Sequence, residues 1–336
     1  MPLFTSLKDE YKTISVVGMA KNAGKTTTLN YLIEEAEDES VRLGITSTGR
    51  DGESTDLVTG TDKPKVYLYP ETIVSVPTGL FESASAGLEI LRMTKYHTTL
   101  GPVMLCRVVD SGYVQIAGPV LTSDHRHMCD EMLTLGAETV LIDGAVDRRA
   151  IAGPATSDAI ILATGAVLSR DIKKVAEETA YLANLYSLPE LEDPLAKSAF
   201  EAKSKIAVIK KGKTVELDVK TGLEAGNILD DFIDKETEYV YIPGALTGSV
   251  LGGINHKKFQ NTVFVLKDPT KIFLSSNEWN VLRKKGFTAK VLRNIKIAAI
   301  SVNPVSPSGY SFERERLIEI MKNAVPGIRI IDVKSS

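Results

Sequence analysis

The chain predicts an α/β fold, with a mostly parallel sheet in a larger first domain and a second, smaller α/β domain after it. Three observations predict this. Short apolar, β-branched runs alternate with helical patterns along most of the 336 residues, as in a parallel sheet covered on both faces. A strand, a glycine loop and a helix follow one another directly between Thr13 and Ile33. A proline- and acid-rich break, PELEDP at 189–194, interrupts the alternation where a domain boundary is expected. The length suffices for two cores, so the expected domains are 1–190 and 195–336.

The first unit reads TISVVGMAKNAGKTTTLNYLI. Ile14, Val16 and Val17 form the buried strand, and Leu29, Leu32 and Ile33 mark the apolar side of the helix. Between them lies Gly18-Met19-Ala20-Lys21-Asn22-Ala23-Gly24, followed by Lys25, Thr26 and Thr27. A glycine loop ending in Gly-Lys-Thr at a strand–helix junction is the context of a phosphate-binding loop, or Walker A motif. Loop N–H groups and the helix N-terminus would wrap the phosphates. Lys25 would reach the β- and γ-phosphates and the Thr26 hydroxyl would face Mg²⁺. The nucleotide-contacting set is thus Lys21, Asn22, Ala23, Gly24, Lys25, Thr26 and Thr27. The pattern is irregular in one place: Met19 stands where a glycine is usual, with Gly18 one residue earlier. The loop is therefore one residue longer or turns without that glycine.

Residues 1–12 read as a lead-in. After the first helix, 43–48 is a second strand, ending in the acid-rich loop Gly49-Arg50-Asp51-Gly52-Glu53-Ser54-Thr55-Asp56. Loops after strands carry the ligand chemistry of open α/β sheets. Asp51 is the candidate for orienting water or substrate, with Arg50 a candidate phosphate contact; a solvated acidic turn explains the same residues. Two proline-bounded apolar runs follow within 64–82, then a helix from 82 to 94 carrying Ala86, Leu88, Ile90, Leu91 and Met93. Residues 102–119 read as two strands hairpinned at Asp110-Ser111-Gly112. Ser123 or Asp124 caps the next helix, which stops at Gly136. Strand Thr139–Asp143 ends in Asp-Gly; Asp143 is the candidate second acid beside Mg²⁺, although Asp-Gly also ends strands as an ordinary turn pair. A strand at 157–165 and a helix at 171–186 complete this domain.

Beyond the break, a hairpin about 211–213, a helix near 224–234, strands at 239–242, 262–266 and 271–274, and a helix at 278–285 are expected. A last strand–loop–helix–strand unit at 297–333 belongs to the same second domain in this reading. The segments IPGALTG and VLGGIN carry enough glycine for a binding loop, or for turns. His125, His127 and Cys129 tempt a metal reading, but on a helix the middle residue faces away from the outer two, and His125 is better placed to touch substrate. Asp147-Arg148-Arg149 offers an arginine to a phosphate or, more simply, surface charge.

A net charge of −3 removes any global reason to expect nucleic acid or an anionic membrane as partner. No run of about 18 apolar residues occurs, and the first twelve residues lack a signal-peptide core. Two cysteines, 106 and 129, make no disulfide framework. The cytoplasm is the expected compartment.

Gly18–Thr28, with Ile45–Gly52 and Leu141–Gly144, resembles the molybdopterin-guanine-dinucleotide accessory proteins and dethiobiotin-synthetase-like P-loop NTPases. Those proteins carry acids around Mg²⁺ and substrate at the two later stretches. The signature lysine of the deviant-loop ATPases falls at Ala20 here, one place before Lys21. GMAKNAGKTTTLN also resembles the P-loop subunit of the lysine 5,6-aminomutase reactivating factor. That resemblance implies ATP turnover coupled to release of damaged cobalamin from a cobalamin-dependent aminomutase.

The expected function is Mg²⁺-dependent ATP (or GTP) binding and hydrolysis coupled to work on a partner protein, with Lys25 and Asp51 catalytic and Thr26 and Asp143 on the metal. Two alternatives stand beside it: an ATP-dependent small-molecule ligase or kinase, and a non-catalytic nucleotide-sensing module. No Asn-Lys-x-Asp tetrad is present, which mildly favours adenine. A homodimer is one option for the oligomeric state, which the sequence leaves open.

Overall fold

The computed structural model describes residues 3–48, 65–144, 153, 156–219 and 222–333, without the side chains of 122, 222 and 223. The chain divides into two compact units, residues 1–180 with 296–336, and 181–295.

The first unit opens with helix α1 (Leu3–Lys8), whose Leu3, Phe4 and Leu7 are buried in the core. The lead-in expected at 1–12 is therefore part of the packing, and burying Phe4 alone is worth about 2–3 kcal/mol. Strand β1 (Thr13–Gly18) is buried throughout, as a central strand covered on both faces must be. It leads through the glycine loop into α2 (Lys25–Asp38) and then β2 (Leu43–Ser47). Three more strands, β3 (Val66–Leu68), β4 (Ile73–Pro77) and β5 (Gly87–Thr98), come next. They are followed by β6 (Gly101–Asp110), β7 (Gly112–Val114) and helix α3 (Thr122–Thr134). Strands β8 (Thr139–Asp143) and β9 (Ala159–Gly165) precede α4 (Ile172–Tyr186), within which the first unit ends.

Three expectations fail in this stretch. Residues 87–98 are a strand, not part of a helix over 82–94. They pair antiparallel with β6 at the edge of the sheet. The irregular apolar pattern that suggested a helix comes from an edge strand with several register shifts. Such shifts break strict alternation and leave Ile90 and Met93 about half exposed. The hairpin lies between β5 and β6, with Thr98 opposite Gly101, not at Asp110-Ser111-Gly112. There the chain leaves the large sheet, and β7 pairs with β3 instead. Gly112 serves a close approach: a Cβ there would lie 2.5 Å from the Ala86 nitrogen. Helix α3 is capped by neither Ser123 nor Asp124; its N-cap is Leu121, without a side-chain hydrogen bond. It does end at Gly136, whose φ is 112°.

The second unit is built on α5 (Pro194–Glu201) and the hairpin β10 (Ala207–Lys210) and β11 (Lys213–Glu216). Lys211 and Gly212 turn that hairpin with φ of 48° and 70°, as a tight two-residue turn requires. Then come α6 (Gly222–Phe232), β12 (Thr237–Ile242), β13 (Leu246–Thr247) and α7 (Gly248–Gly252). The unit closes with β14 (Val263–Leu266), β15 (Ile272–Phe273), α8 (Ser276–Lys284) and β16 (Thr288–Val291). Its five-stranded sheet runs β11-β10-β12-β14-β16, with β12, β14 and β16 parallel. A capping box between Ser275 and Glu278 starts α8.

The chain then returns to the first unit. Strand β17 (Ile297–Asn303) pairs parallel with β9, and after α9 (Arg314–Ala324) the short β18 (Ile330–Ile331) pairs with β17. The strand–loop–helix–strand unit at 297–333, expected in the second domain, thus completes the larger sheet. Its nine strands run β18-β17-β9-β1-β8-β2-β4-β6-β5. Neighbouring strands are parallel except that β6 pairs antiparallel with both β4 and β5 at one edge. The break at 189–194 is an internal feature of the second unit, because Pro189 and Leu191 exchange backbone hydrogen bonds with Val291. Among the described residues, no helix is long and apolar enough to cross a membrane.

Candidate functional site

The carboxyl ends of β1, β8, β9 and β17 meet around the glycine loop. In open parallel sheets this edge is where ligands bind. Gly18 ends β1, and the Met19 N–H continues the ladder by donating to the Ala163 carbonyl at 2.9 Å. Met19 has no positive φ; the loop turns instead at Asn22 and Gly24, with φ of 64° and 100°. The loop thus turns without a glycine at position 19, at a left-handed asparagine, a residue that tolerates this region. Gly24 is the N-cap of α2 and carries no side chain to accept from the first-turn N–H groups, which face the loop with the helix dipole behind them.

The sequence candidates fall as follows. Lys21 and Asn22 are exposed, Ala23 is buried, and Lys25, Thr26 and Thr27 are half-buried in the first turn of α2. The Lys25 ammonium forms an ion pair with the Asp143 carboxylate, the two side chains being 16% and 25% exposed. Residues 118 positions apart are thus brought into contact. Asp143 lies between Val16 on β1 and Ser47 on β2, and its carbonyl accepts from the Thr48 N–H at 2.9 Å. Gly144 is more than a turn residue, since its N–H donates to the Val16 carbonyl. A Cβ there would lie 2.7 Å from that same oxygen. Asp51, with Arg50, Glu53, Asp56 and the Asp147-Arg148-Arg149 group, lies outside the described residues.

One residue against the loop was not read from the sequence, because its segment was assigned to the other domain. Asn303, at the end of β17, donates from Nδ2 to the Asn22 carbonyl at 3.4 Å. A Cβ on Gly24 would lie 3.1 Å from the Asn303 Cβ, and one on Gly165 would lie 2.0 Å from the Asn303 carbonyl oxygen. Behind the loop, the buried hydroxyls of Thr28 and Ser301 meet at 2.8 Å, tying α2 to β17. The returning segment also brings Tyr310, whose hydroxyl donates to the Ala166 carbonyl, with the Arg170 guanidinium 5.2 Å from the ring centre. The only signal in the sequence was Asn303-Pro304 directly after an apolar strand.

His125, the expected substrate contact, is buried, 2% exposed. Cys129 is buried with it, while His127 is exposed. Burial holds the His125 imidazole down at about 4 against an ordinary 6.5, although Asp124 and the Pro119 carbonyl oppose the shift. On acidification the unfolded chain therefore takes this proton first. The contribution of this group to stability is full above pH 6.5 and should fall by up to about 3 kcal/mol as pH drops from 6.5 toward 4. Denaturant midpoints measured across that range should decline less steeply in His125→Gln than in the parent protein.

Asp143 and Thr26 carry oxygen donors of the type that magnesium takes. Among the described residues no three His, Cys, Asp or Glu side chains group as a metal site. Mg²⁺ with a nucleotide needs only one or two protein oxygens, the rest being phosphate and water; the Asp143 carboxylate and the Thr26 hydroxyl are of that kind. Comparison of the chain with protein-family models, with curated proteins and with solved structures finds no match.

Proposed function

We propose that the chain is a P-loop nucleoside triphosphatase, binding ATP or GTP with Mg²⁺ and coupling hydrolysis to a partner protein. The contact between Lys25 and Asp143 carries the reading. It joins the lysine of a Gly-Lys-Thr loop to an acid at the end of the neighbouring strand, where phosphate and metal charges have to be balanced. Without ligand the two neutralise each other. With ligand, Lys25 turns to the β- and γ-phosphates, and Asp143 and Thr26 hold the metal. Bound Mg²⁺ supplies charge neutralisation on the phosphate oxygens. The first-turn N–H groups of α2 and the left-handed turns at Asn22 and Gly24 form a cradle suited to phosphate. Asn303 supports the outer wall of that cradle. Catalysis is positioning and electrostatic stabilisation of in-line transfer to water, with Asp51 the proposed orienting residue. The partner proposed from the resemblance at 18–30 is a cobalamin-dependent aminomutase.

Asp143→Asn should leave nucleotide binding measurable but raise the Mg²⁺ concentration needed for half-saturation by about tenfold, a loss of about 1.4 kcal/mol. A magnesium titration identical to that of the parent protein would remove Asp143 from the metal. Phosphate release stimulated by a purified aminomutase supports the proposal. Stimulation by a small metabolite alone would move the reading to a ligase or kinase, and tight binding without turnover to a sensor.

A further inference from the structure

The second unit carries a cavity of about 790 Å³, well within the range of small-molecule sites. It opens beside the carboxyl end of β12, the position at which parallel sheets receive ligands. Its floor is apolar: Leu217, Ala225, Ile242 and Val250 line it, each no more than 4% exposed. Among the described residues, the polar lining groups are hydroxyls, with Thr247 and Ser249 bonded to each other at 2.8 Å, and one cation, Lys205. No carboxylate lines it among the described residues. The Lys205 ammonium meets Asp218 at 3.3 Å, but these side chains are 58% and 80% exposed, so the pair is weak and exchangeable.

The glycines of the two rich segments separate into different roles. Gly253 is required by packing: a Cβ there would lie 2.8 Å from the Gly226 backbone, where α6 and the end of α7 touch. Gly244, on the cavity wall, is required by no close packing among the described residues. Its φ is not left-handed, and a Cβ there would meet no atom within 4 Å. A wall kept low where neither turn nor packing demands it leaves room for something else.

We infer that this cavity binds an amphipathic organic acid, its aliphatic or aromatic body on the Leu217–Ile242–Val250 floor and its carboxylate at Lys205 and the Thr247 and Ser249 hydroxyls. None of the lining residues belongs to the glycine loop, and the inference does not depend on the nucleotide reading.

The test uses the isotope-labelled full chain without nucleotide, followed by amide NMR, with 4-phenylbutyrate, 4-phenylbutanol and 4-phenylbutylamine as probes. The carboxylate is expected to give saturable shifts centred on Gly244, Ala245, Thr247 and Val250, and to bind more tightly than the alcohol, with the amine weakest. Gly244→Leu, which adds an isobutyl group at the exposed wall, should weaken 4-phenylbutyrate by at least about tenfold with an unchanged melting midpoint. Should that variant not fold, Lys205→Met tests the same site, because the carboxylate's advantage over the alcohol should vanish. Lys25→Ala should bind the probes as the parent does, so a failed nucleotide reading leaves this result intact. Absence of saturable shifts at the wall residues would overturn the proposal. So would a preference for the amine, equal affinity in Gly244→Leu, or an unchanged carboxylate preference in Lys205→Met.

Discussion

Lys25→Ala is expected to weaken binding of Mg²⁺-ATP by about 10- to 100-fold, as loss of a charge-assisted phosphate contact worth about 1.5–3 kcal/mol requires. The fold should survive. Lys25 sits on the first turn of α2 with its charge against Asp143, at a helical position that alanine suits. Both partners are partly exposed, so the released carboxylate can be hydrated rather than left unpaired in a dry interior. Lys25→Arg is the informative companion, since it keeps the charge but spreads it over a planar fork unsuited to a compact phosphate cradle. Equal nucleotide affinity in parent and Lys25→Ala, measured on folded protein, would show that the loop does not hold phosphate.

The largest stability effect is expected at Gly165. Its partner across the sheet is Asn303, and a Cβ would lie 2.0 Å from the Asn303 carbonyl oxygen and 2.8 Å from its carbon. Backbone atoms in a paired strand cannot swing aside as a side chain can. Gly165→Ala must therefore separate β9 from β17 or shift both, an overpacking cost of about 3 kcal/mol. For a unit of this size that lowers the melting midpoint by about 6–12 °C. It should also weaken nucleotide binding, because Asn303 braces the loop at Asn22 and Gly24. A Gly165→Ala protein melting with the parent would mean that the returning strand does not lie against β9 as described.

The local units were the most legible part of the sequence. The buried strand, glycine loop and helix at Thr13–Ile33, the acid-ended strand Thr139–Asp143, the turn at Lys211-Gly212 and the stop at Gly136 all announce themselves through short-range chemistry. Burial on both faces makes central strands read as continuous apolar runs, and left-handed positions select glycine or asparagine. Edge strand β5 was illegible for the converse reason. It is half solvated and its register shifts interrupt the alternation, so Ala86, Leu88, Ile90, Leu91 and Met93 mimic a helical stripe.

The return of residues 297–333 to the first sheet could not be read locally either. Strand β17 looks like any other buried strand, and its neighbour β9 is more than a hundred residues earlier. Assigning it to the second domain cost the site Asn303. Lys25 and Asp143 were each legible as motif residues, whereas their direct contact depends on the order in which strands are laid down. The cavity wall at Gly244 shows the limit from the other side: its sequence offered glycines, and only packing distinguishes the one that is needed from the one that is not.

The central claim is that the loop at 18–24 binds a nucleoside triphosphate with magnesium. Calorimetric titration of the purified protein with ATP and with GTP, each with and without Mg²⁺, tests it most directly. Saturable, Mg²⁺-dependent heat at one site per chain is the predicted result, with ATP the tighter ligand. No heat from either nucleotide with Mg²⁺ present, in protein that melts cooperatively, would contradict it.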